Sequence, residues 1–280
     1  MSGTLYLCAT PIGNRGDITE RVKKTLTEVD LIAAEDTRHS RELLSGYGIE
    51  TPLTSYHEHN KYEKAEQLLE KLQAGQNIAL ITDAGTPAIS DPGEVLVDMC
   101  HEAGVTVTSL PGACALITGL TLSGLPARRF IFEGFLPMEN KERREVLDSL
   151  KREARTVILY EAPHRLARTL TELAETLGGS RRICLCRELT KLHEEAVRTT
   201  LGEALAQLAE KEPRGEYVLV LEGKPREETE AEARSRFEGL SPEEHLALYT
   251  AEGMDKKEAM KRMASDLGIS KRDVYQMLLK

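Results

Sequence analysis

Residues 78–93 read IALITDAGTPAISDPG, and this stretch decides the fold. A four-residue apolar run of strand length ends abruptly in an acidic Gly/Pro loop, which a helix-like segment follows. Strand, loop and helix in this order form ligand sites in α/β proteins, beyond the carboxyl ends of the strands. Gly85 lets the backbone approach a ligand closely, and Pro87 and Pro92 hold the shape of the loop. The plainer alternative is a turn that caps a helix, with Asp83 binding nothing.

Two further loops of this kind, near Thr10 and Pro111, favour the ligand-site interpretation, because they also follow strands. The first half predicts five short strands that alternate with helices, which is typical of a mostly parallel sheet covered on both faces. An Asp17–Glu20 capping-box spacing predicts the start of the first helix. The strands are expected at residues 5–9, 31–34, 53–56, 78–81 and 105–107.

A second α/β unit is predicted after residue 126, with a mixed sheet because some connections are too short for a crossover helix. Its strands are expected at residues 130–132, 156–160, 183–186, 196–199 and 217–221. The spacing of Ser241 and Glu244 predicts a capping box at the start of a three-helix appendage that resembles a helix-turn-helix. This unit is either a packing module or a nucleic-acid contact. The predicted domains are residues 1–120 and 121–223, then a linker at 224–240 and the appendage at 241–280.

The formal net charge of −9 over 280 residues argues against general polyanion binding. Most of it lies in residues 1–119, which hold 9 Lys and Arg against 17 Asp and Glu, whereas residues 120–222 are neutral. The arginines of the second half permit a local basic surface for RNA. No apolar run reaches the length of a membrane span, and no basic leader precedes the first strand, so we expect a cytoplasmic protein. The spacing of Cys184 and Cys186 predicts packed thiols on one face of a strand.

Six motifs occur together in the chain, and their order and spacing resemble those of the ribosomal RNA small subunit methyltransferase I family, within the tetrapyrrole-methylase superfamily. Each is weak alone, and the set covers nearly the whole chain. The motifs are ATPIGN (9–14), EDTR (35–38), DAGTP with SDPG (83–93), PGA (111–113), YEAPHR (160–165) and RELTK (187–191).

The resemblance implies two α/β domains that hold S-adenosylmethionine in the cleft between them, usually in a homodimer. It implies methyl transfer to the ribose 2′-hydroxyl of a decoding-centre cytidine in 16S rRNA, with the small ribosomal subunit as partner. Matching positions place the cofactor against residues of both halves. These are Ile12, Asp83, Ala84, Gly85, Ile89, Ser90, Cys114, Ala115, Tyr160, Leu189, Glu216 and Tyr217.

Methyl transfer from a sulfonium needs in-line placement of the acceptor oxygen, and neither a metal nor a covalent intermediate. A base should assist as the weakly acidic hydroxyl loses its proton. The candidates at strand ends are His57, Glu133, Glu161, His164 and Lys191, and the sequence does not choose among them. His57 and His59 could instead be a metal pair, but no third ligand is placed by spacing, so no metal is expected.

Arg38, Arg165 and Lys191 are the predicted substrate contacts. Arg38 is expected to contact phosphate, although it could form an exposed ion pair with the neighbouring acidic residues. Residues 139–153 predict a charged helix, which is either a solvated face or an RNA contact. Two other functions stay open: the same fold acting on a small tetrapyrrole or a protein side chain, and a non-catalytic nucleotide- or RNA-binding module.

Overall fold

The computed structural model describes residues 2–210, 212–225, 228 and 240–279. Most of the predicted linker lies outside the described residues. The predicted domain boundaries therefore stay predictions, and the two sheets and the appendage are described in turn.

The first sheet is parallel and has five strands in the order β3-β2-β4-β1-β5. Its central strands are almost wholly apolar because helices cover both faces. All five predicted strands are present, and the mostly parallel sheet is confirmed. The elements of this half are β1 (Thr4–Cys8), α1 (Glu20–Glu28), β2 (Leu31–Ala34), α2 (Thr37–Ser45), β3 (Leu53–Ser55), α3 (Lys61–Gln73), β4 (Ile78–Ile81), α4 (Gly93–Glu102), β5 (Thr106–Leu110) and α5 (Ala115–Ser123).

The second sheet has the order β6-β7-β10-β8-β9, with β6 and β7 parallel and the other pairs antiparallel. The mixed sheet is therefore confirmed. Cys184 and Cys186 are buried free thiols with their Sγ atoms 3.7 Å apart, as predicted. The elements are β6 (Phe130–Phe135), α6 (Asn140–Leu150), β7 (Thr156–Glu161), α7 (Pro163–Leu177), β8 (Arg182–Arg187), β9 (Glu195–Thr200), α8 (Leu201–Glu210) and β10 (Tyr217–Leu221).

Helix α5 follows the first sheet in sequence but packs on the second one. Its Leu116 and Leu120 join the core under β7, β8 and β10, and a Cβ at Gly119 would lie 2.8 Å from a methyl of Val218. The predicted boundary after residue 120 lies within this helix. The loop between β5 and α5 therefore connects the two sheets and carries residues to the space between them.

The capping prediction for α1 was wrong. Thr19 is the N-cap and accepts a hydrogen bond from the Val22 amide, while Asp17 ends a short 3-10 turn that Asn14 caps. The spacing of Asp17 and Glu20 fits a capping box, but the additional turn moves the start of the helix past Asp17. Residues between a strand and a helix can form such a turn without changing the hydrophobic pattern.

The appendage contains three helices, α9 (Pro242–Ala251), α10 (Lys256–Leu267) and α11 (Lys271–Met277), which form a small core of their own. The predicted capping box of Ser241 and Glu244 is present at the start of α9. None of the helices in the described part of the chain combines the length and apolar composition that crossing a membrane requires.

Candidate functional site

The loops that follow β1, β4 and β5 are joined by backbone contacts into one wall. Thr10 and Gly85 exchange backbone hydrogen bonds of 2.8 and 3.1 Å, and the Thr10 hydroxyl donates to the Thr82 carbonyl. Thr86 donates its hydroxyl to the Ala113 carbonyl at 3.0 Å. Gly85 has φ of +86°, and a Cβ there would lie 3.2 Å from Ile12. Only glycine suits this position without strain.

A carboxylate fixes the next turn of the chain. Asp91 accepts backbone hydrogen bonds from Ala88, Ile89 and Gly93 at 2.8 to 3.3 Å. Ala88 and Ser90 have φ of +66° and +62°, values that are costly for residues with a Cβ. The Asp91 contacts offset this cost and hold Ile89 and Ser90 in a single conformation.

The second sheet supplies the opposite wall through Tyr160, near the end of β7. The Leu116 amide donates to the Tyr160 hydroxyl at 3.0 Å, and burial raises the pKa of Tyr160 to about 12. Phe132 and Phe135 lie edge-on to its ring, with centroid distances of 4.8 and 5.7 Å. Tyr160 is thus a neutral, fixed surface in the pH range of living cells.

The turn after β8 closes one end of the site and meets the first loop. The Asn14 amide donates to the Thr190 hydroxyl at 3.0 Å, across 176 positions of sequence. Lys191 donates to Glu188 and Glu216 at 2.9 and 3.0 Å. Burial is the largest influence on Lys191 and lowers its pKa, but the two carboxylates together outweigh it and raise the pKa above the ordinary value. The first loop and this turn are therefore held together at the mouth of the site.

These walls enclose a cavity of about 660 Å³ between the two sheets. Every residue that the resemblance assigns to the cofactor lies in its lining, although no bound cofactor tests those assignments. The lining also contains residues to which the sequence assigned no role in the site, although five of them lie in the six motifs. They are Glu35, Thr82, Thr86, Asp91, Phe135, Ala162, Pro163 and Val218.

The lining is acidic. It includes five carboxylates, at Glu35, Asp83, Asp91, Glu161 and Glu216, and none of the described lining residues is lysine or arginine. Phosphate-bearing ligands are usually held by such cations or by helix N-termini. Two of the carboxylates are paired, Glu161 with Arg165 and Glu216 with Lys191, whereas Glu35, Asp83 and Asp91 form no ion pair with another described residue. The N-termini of α5 and α7 reach the lining at Ala115 and Pro163 and can receive an anionic group. The lining therefore suits a ligand that joins a positive centre to a small anionic group such as a carboxylate.

The five candidate bases differ in position. His164 and Glu161 line the cavity, whereas His57, Glu133 and Lys191 do not. Lys191 is held as a cation by its two carboxylates, so it is unsuited to accept a proton. The side chain of His164 is exposed at the start of α7, where a substrate group could reach it.

Glu161 is engaged in a buried network under the cavity. One carboxylate oxygen pairs with Arg165 at 3.2 Å, and the other accepts from the Thr169 hydroxyl at 2.5 Å. Thr169 in turn accepts from Arg143 at 2.7 Å, and Arg143 pairs with Glu172 at 2.5 Å. Both oxygens of this carboxylate already have protein partners, so its role is to hold the floor of the cavity in place.

The predicted substrate contacts do not line the cavity. Arg165 is part of this network and donates to the Leu136 carbonyl at 2.5 Å. Arg38 is 91% exposed and pairs with Asp36, the plainer of the two alternatives that its sequence allowed. Arg143 on α6 fits neither alternative that the sequence left open for this helix, a solvated face or an RNA contact, because its side chain is only 3% exposed.

A metal site at His57 and His59 has no support. Within residues 2–210, 212–225, 228 and 240–279 no group of three or more His, Cys, Asp or Glu side chains could hold a metal ion.

Comparisons with known proteins agree with this architecture. Residues 4–205 match the tetrapyrrole (corrin/porphyrin) methylase family. The chain is 50% identical to ribosomal RNA small subunit methyltransferase I of Synechocystis, over 99% of this chain and 98% of that protein. The same enzyme of Halalkalibacterium halodurans is 48% identical, over 98% and 94% of the two chains. Uroporphyrin-III C-methyltransferase from Thermus thermophilus, crystallised with S-adenosylhomocysteine, has the same fold at 20% identity, with a TM-score of 0.56 over 79% of this chain and 97% of that one.

Proposed function

Because the chain belongs to the ribosomal RNA small subunit methyltransferase I family, we propose that it transfers the methyl group of S-adenosylmethionine to the ribose 2′-hydroxyl of a decoding-centre cytidine in 16S rRNA. The matches to the family and to its relatives confirm the resemblance seen in the six motifs. We also propose that the RNA is methylated within the small ribosomal subunit and that the protein acts as a homodimer.

The observation that carries this function is the acidic cavity between the sheets. Its volume of about 660 Å³ suits one small cofactor, and its lining joins carboxylates with apolar surface. S-adenosylmethionine combines a cationic sulfonium, an ammonium and a carboxylate with an apolar-faced adenine, and it carries no phosphate. The twelve residues predicted for the cofactor surround this cavity, which supports the placement of the donor there.

The chemistry requires the hydroxyl oxygen to attack the methyl carbon in line with the C–S bond. The C–O bond forms as the C–S bond breaks, and the hydroxyl proton must pass to a base. We assign that role to His164. Among the five candidates it alone lines the cavity and has no ion pair with another described residue. The donor leaves as the neutral thioether, S-adenosylhomocysteine.

The experiment incubates the protein and methyl-labelled donor separately with 30S subunits, free 16S rRNA and a metal-free tetrapyrrole, followed by nuclease mapping. We expect label on one RNA ribose. Label on the tetrapyrrole, on protein or on a base would contradict the proposal, and transfer to none of the substrates would favour a non-catalytic module. A His164→Gln variant should lower kcat and keep donor affinity, which calorimetric titration measures separately.

A further inference from the structure

Phe135 has an unusual position in its strand. The pairing of β6 with β7 shifts between Phe132 and Gly134, and Gly134 has φ of +64°, which marks a β-bulge. Residues three apart point to opposite faces of a regular strand. The bulge re-aims the chain, so that Phe132 and Phe135 both contact the ring of Tyr160.

The result is an aromatic ring exposed at the cavity. Phe135 is 50% exposed and is part of the cavity lining, whereas Tyr217, a lining aromatic on β10, is only 9% exposed. Half of the Phe135 surface is therefore open to a ligand that enters from solvent. Exposed apolar surface beside a cavity is often a binding surface.

The residues before and after Phe135 are also fixed in place. Before it, the bulge brings Gly134 close to the opposite wall, where a Cβ added to Gly134 would lie 3.5 Å from the Ser90 hydroxyl. After it, Arg165 donates to the Leu136 carbonyl, and Arg143 to that of Pro137 at 3.4 Å. A rigid aromatic loses little conformational entropy when a ligand stacks on it.

We propose that Phe135 is the stacking platform for the base of the nucleotide that is methylated. The inference rests on the proposed function and names how that site holds its RNA. Proteins that recognise single-stranded RNA stack its unpaired bases on aromatic side chains, and enzymes that modify a base take it out of its stack. Stacking on Phe135 would place the attached ribose over the cavity.

The test uses Phe135→Leu, which keeps apolar bulk without an aromatic face, and Phe135→Tyr, which keeps the face. Steady-state methylation of 30S subunits gives KM for RNA and kcat, and calorimetry gives donor affinity. Base–aromatic stacking predicts a roughly 5- to 100-fold rise in the RNA KM of the leucine variant, with donor affinity unchanged. The tyrosine variant should restore the wild-type KM.

Tyr62→Leu is the matched control, because Tyr62 is a 67% exposed aromatic on α3 that does not line the cavity. An unchanged RNA KM in Phe135→Leu, or an equal rise in Tyr62→Leu, would overturn the inference. Weakened donor binding in Phe135→Leu would also overturn it, because the ring would then contact the adenine of the donor. Failure of the proposed function is distinct, since wild-type protein would then transfer no label to RNA.

Discussion

The replacement Thr169→Val tests whether the buried network under the cavity is as tightly built as its contacts indicate. The Thr169 hydroxyl accepts from Arg143 at 2.7 Å and donates to Glu161 at 2.5 Å. Valine has nearly the same shape and branching, so it removes both hydrogen bonds without opening a cavity. Arg143 and Glu161 would each remain buried with one partner fewer.

Leaving a buried group short of one hydrogen bond costs about 1–3 kcal/mol, so the two losses should lower the free energy of unfolding by roughly 2–6 kcal/mol. Glu161 keeps Arg165, and Arg143 keeps Glu172, so the effect should not exceed that range. Urea unfolding followed by circular dichroism measures the change as a shift in midpoint at constant slope.

Helix α7 offers a matched control, Thr171→Val. The Thr171 hydroxyl is exposed and donates only to the Ala167 carbonyl of its own helix. The same chemical change there should alter the free energy of unfolding by no more than about 0.5 kcal/mol. Equal effects at the two positions would refute the reasoning, because they would show that the buried hydroxyl contributes no more than an exposed one.

Three further predictions follow from other parts of the chain. Gly85→Ala and Gly48→Ala both force alanine to positive φ and should each cost about 1–2 kcal/mol of folding stability. Only Gly85→Ala should also weaken donor binding in calorimetry. Gly48→Ala is the control, because nothing lies within 4 Å of a Cβ at that position. The hydrogen bond from Arg155 holds the pKa of Glu153 at about 2, below its ordinary 4.5. Glu153→Gln should therefore lower the free energy of unfolding by its full amount above pH 4.5 and by less as the pH falls towards 2. Urea midpoints of both proteins at pH 7 and pH 3 measure this difference. Ending the chain after residue 223 should lower methylation of RNA more than donor affinity, and an equal loss of both would contradict a role for the appendage in RNA binding.

The strands and the cavity loops could be predicted because their signals are local. The run at 78–81 is apolar over strand length, and Gly85 and Pro87 interrupt it at once. Parallel strands bring their carboxyl ends to one edge, so separate loops could be expected to meet. The backbone pairing of Thr10 with Gly85, 75 positions later in the chain, confirms this expectation.

The features that escaped prediction depend on partners distant in sequence. Arg143 looks like its charged neighbours on α6, and only Thr169 and Glu172 on α7 show that it is buried. Phe135 looks like one more strand residue, because its direction depends on a bulge set by pairing with β7. Periodicity describes one segment at a time, so it cannot report either effect.

The acidic lining has a consequence for how the rate can be raised. With S-adenosylmethionine in the cavity, as proposed, a carboxylate such as Asp83 would favour its sulfonium, and this positive charge is already dispersing in the transition state and is lost in the product. An interaction that is strongest with the ground state aids binding and product release and does not accelerate the transfer. The acceleration must then come from alignment and from removal of the hydroxyl proton. Rigid walls serve alignment, and the contacts of Thr10, Asp91 and Thr169 fix the walls on both sides of the cavity.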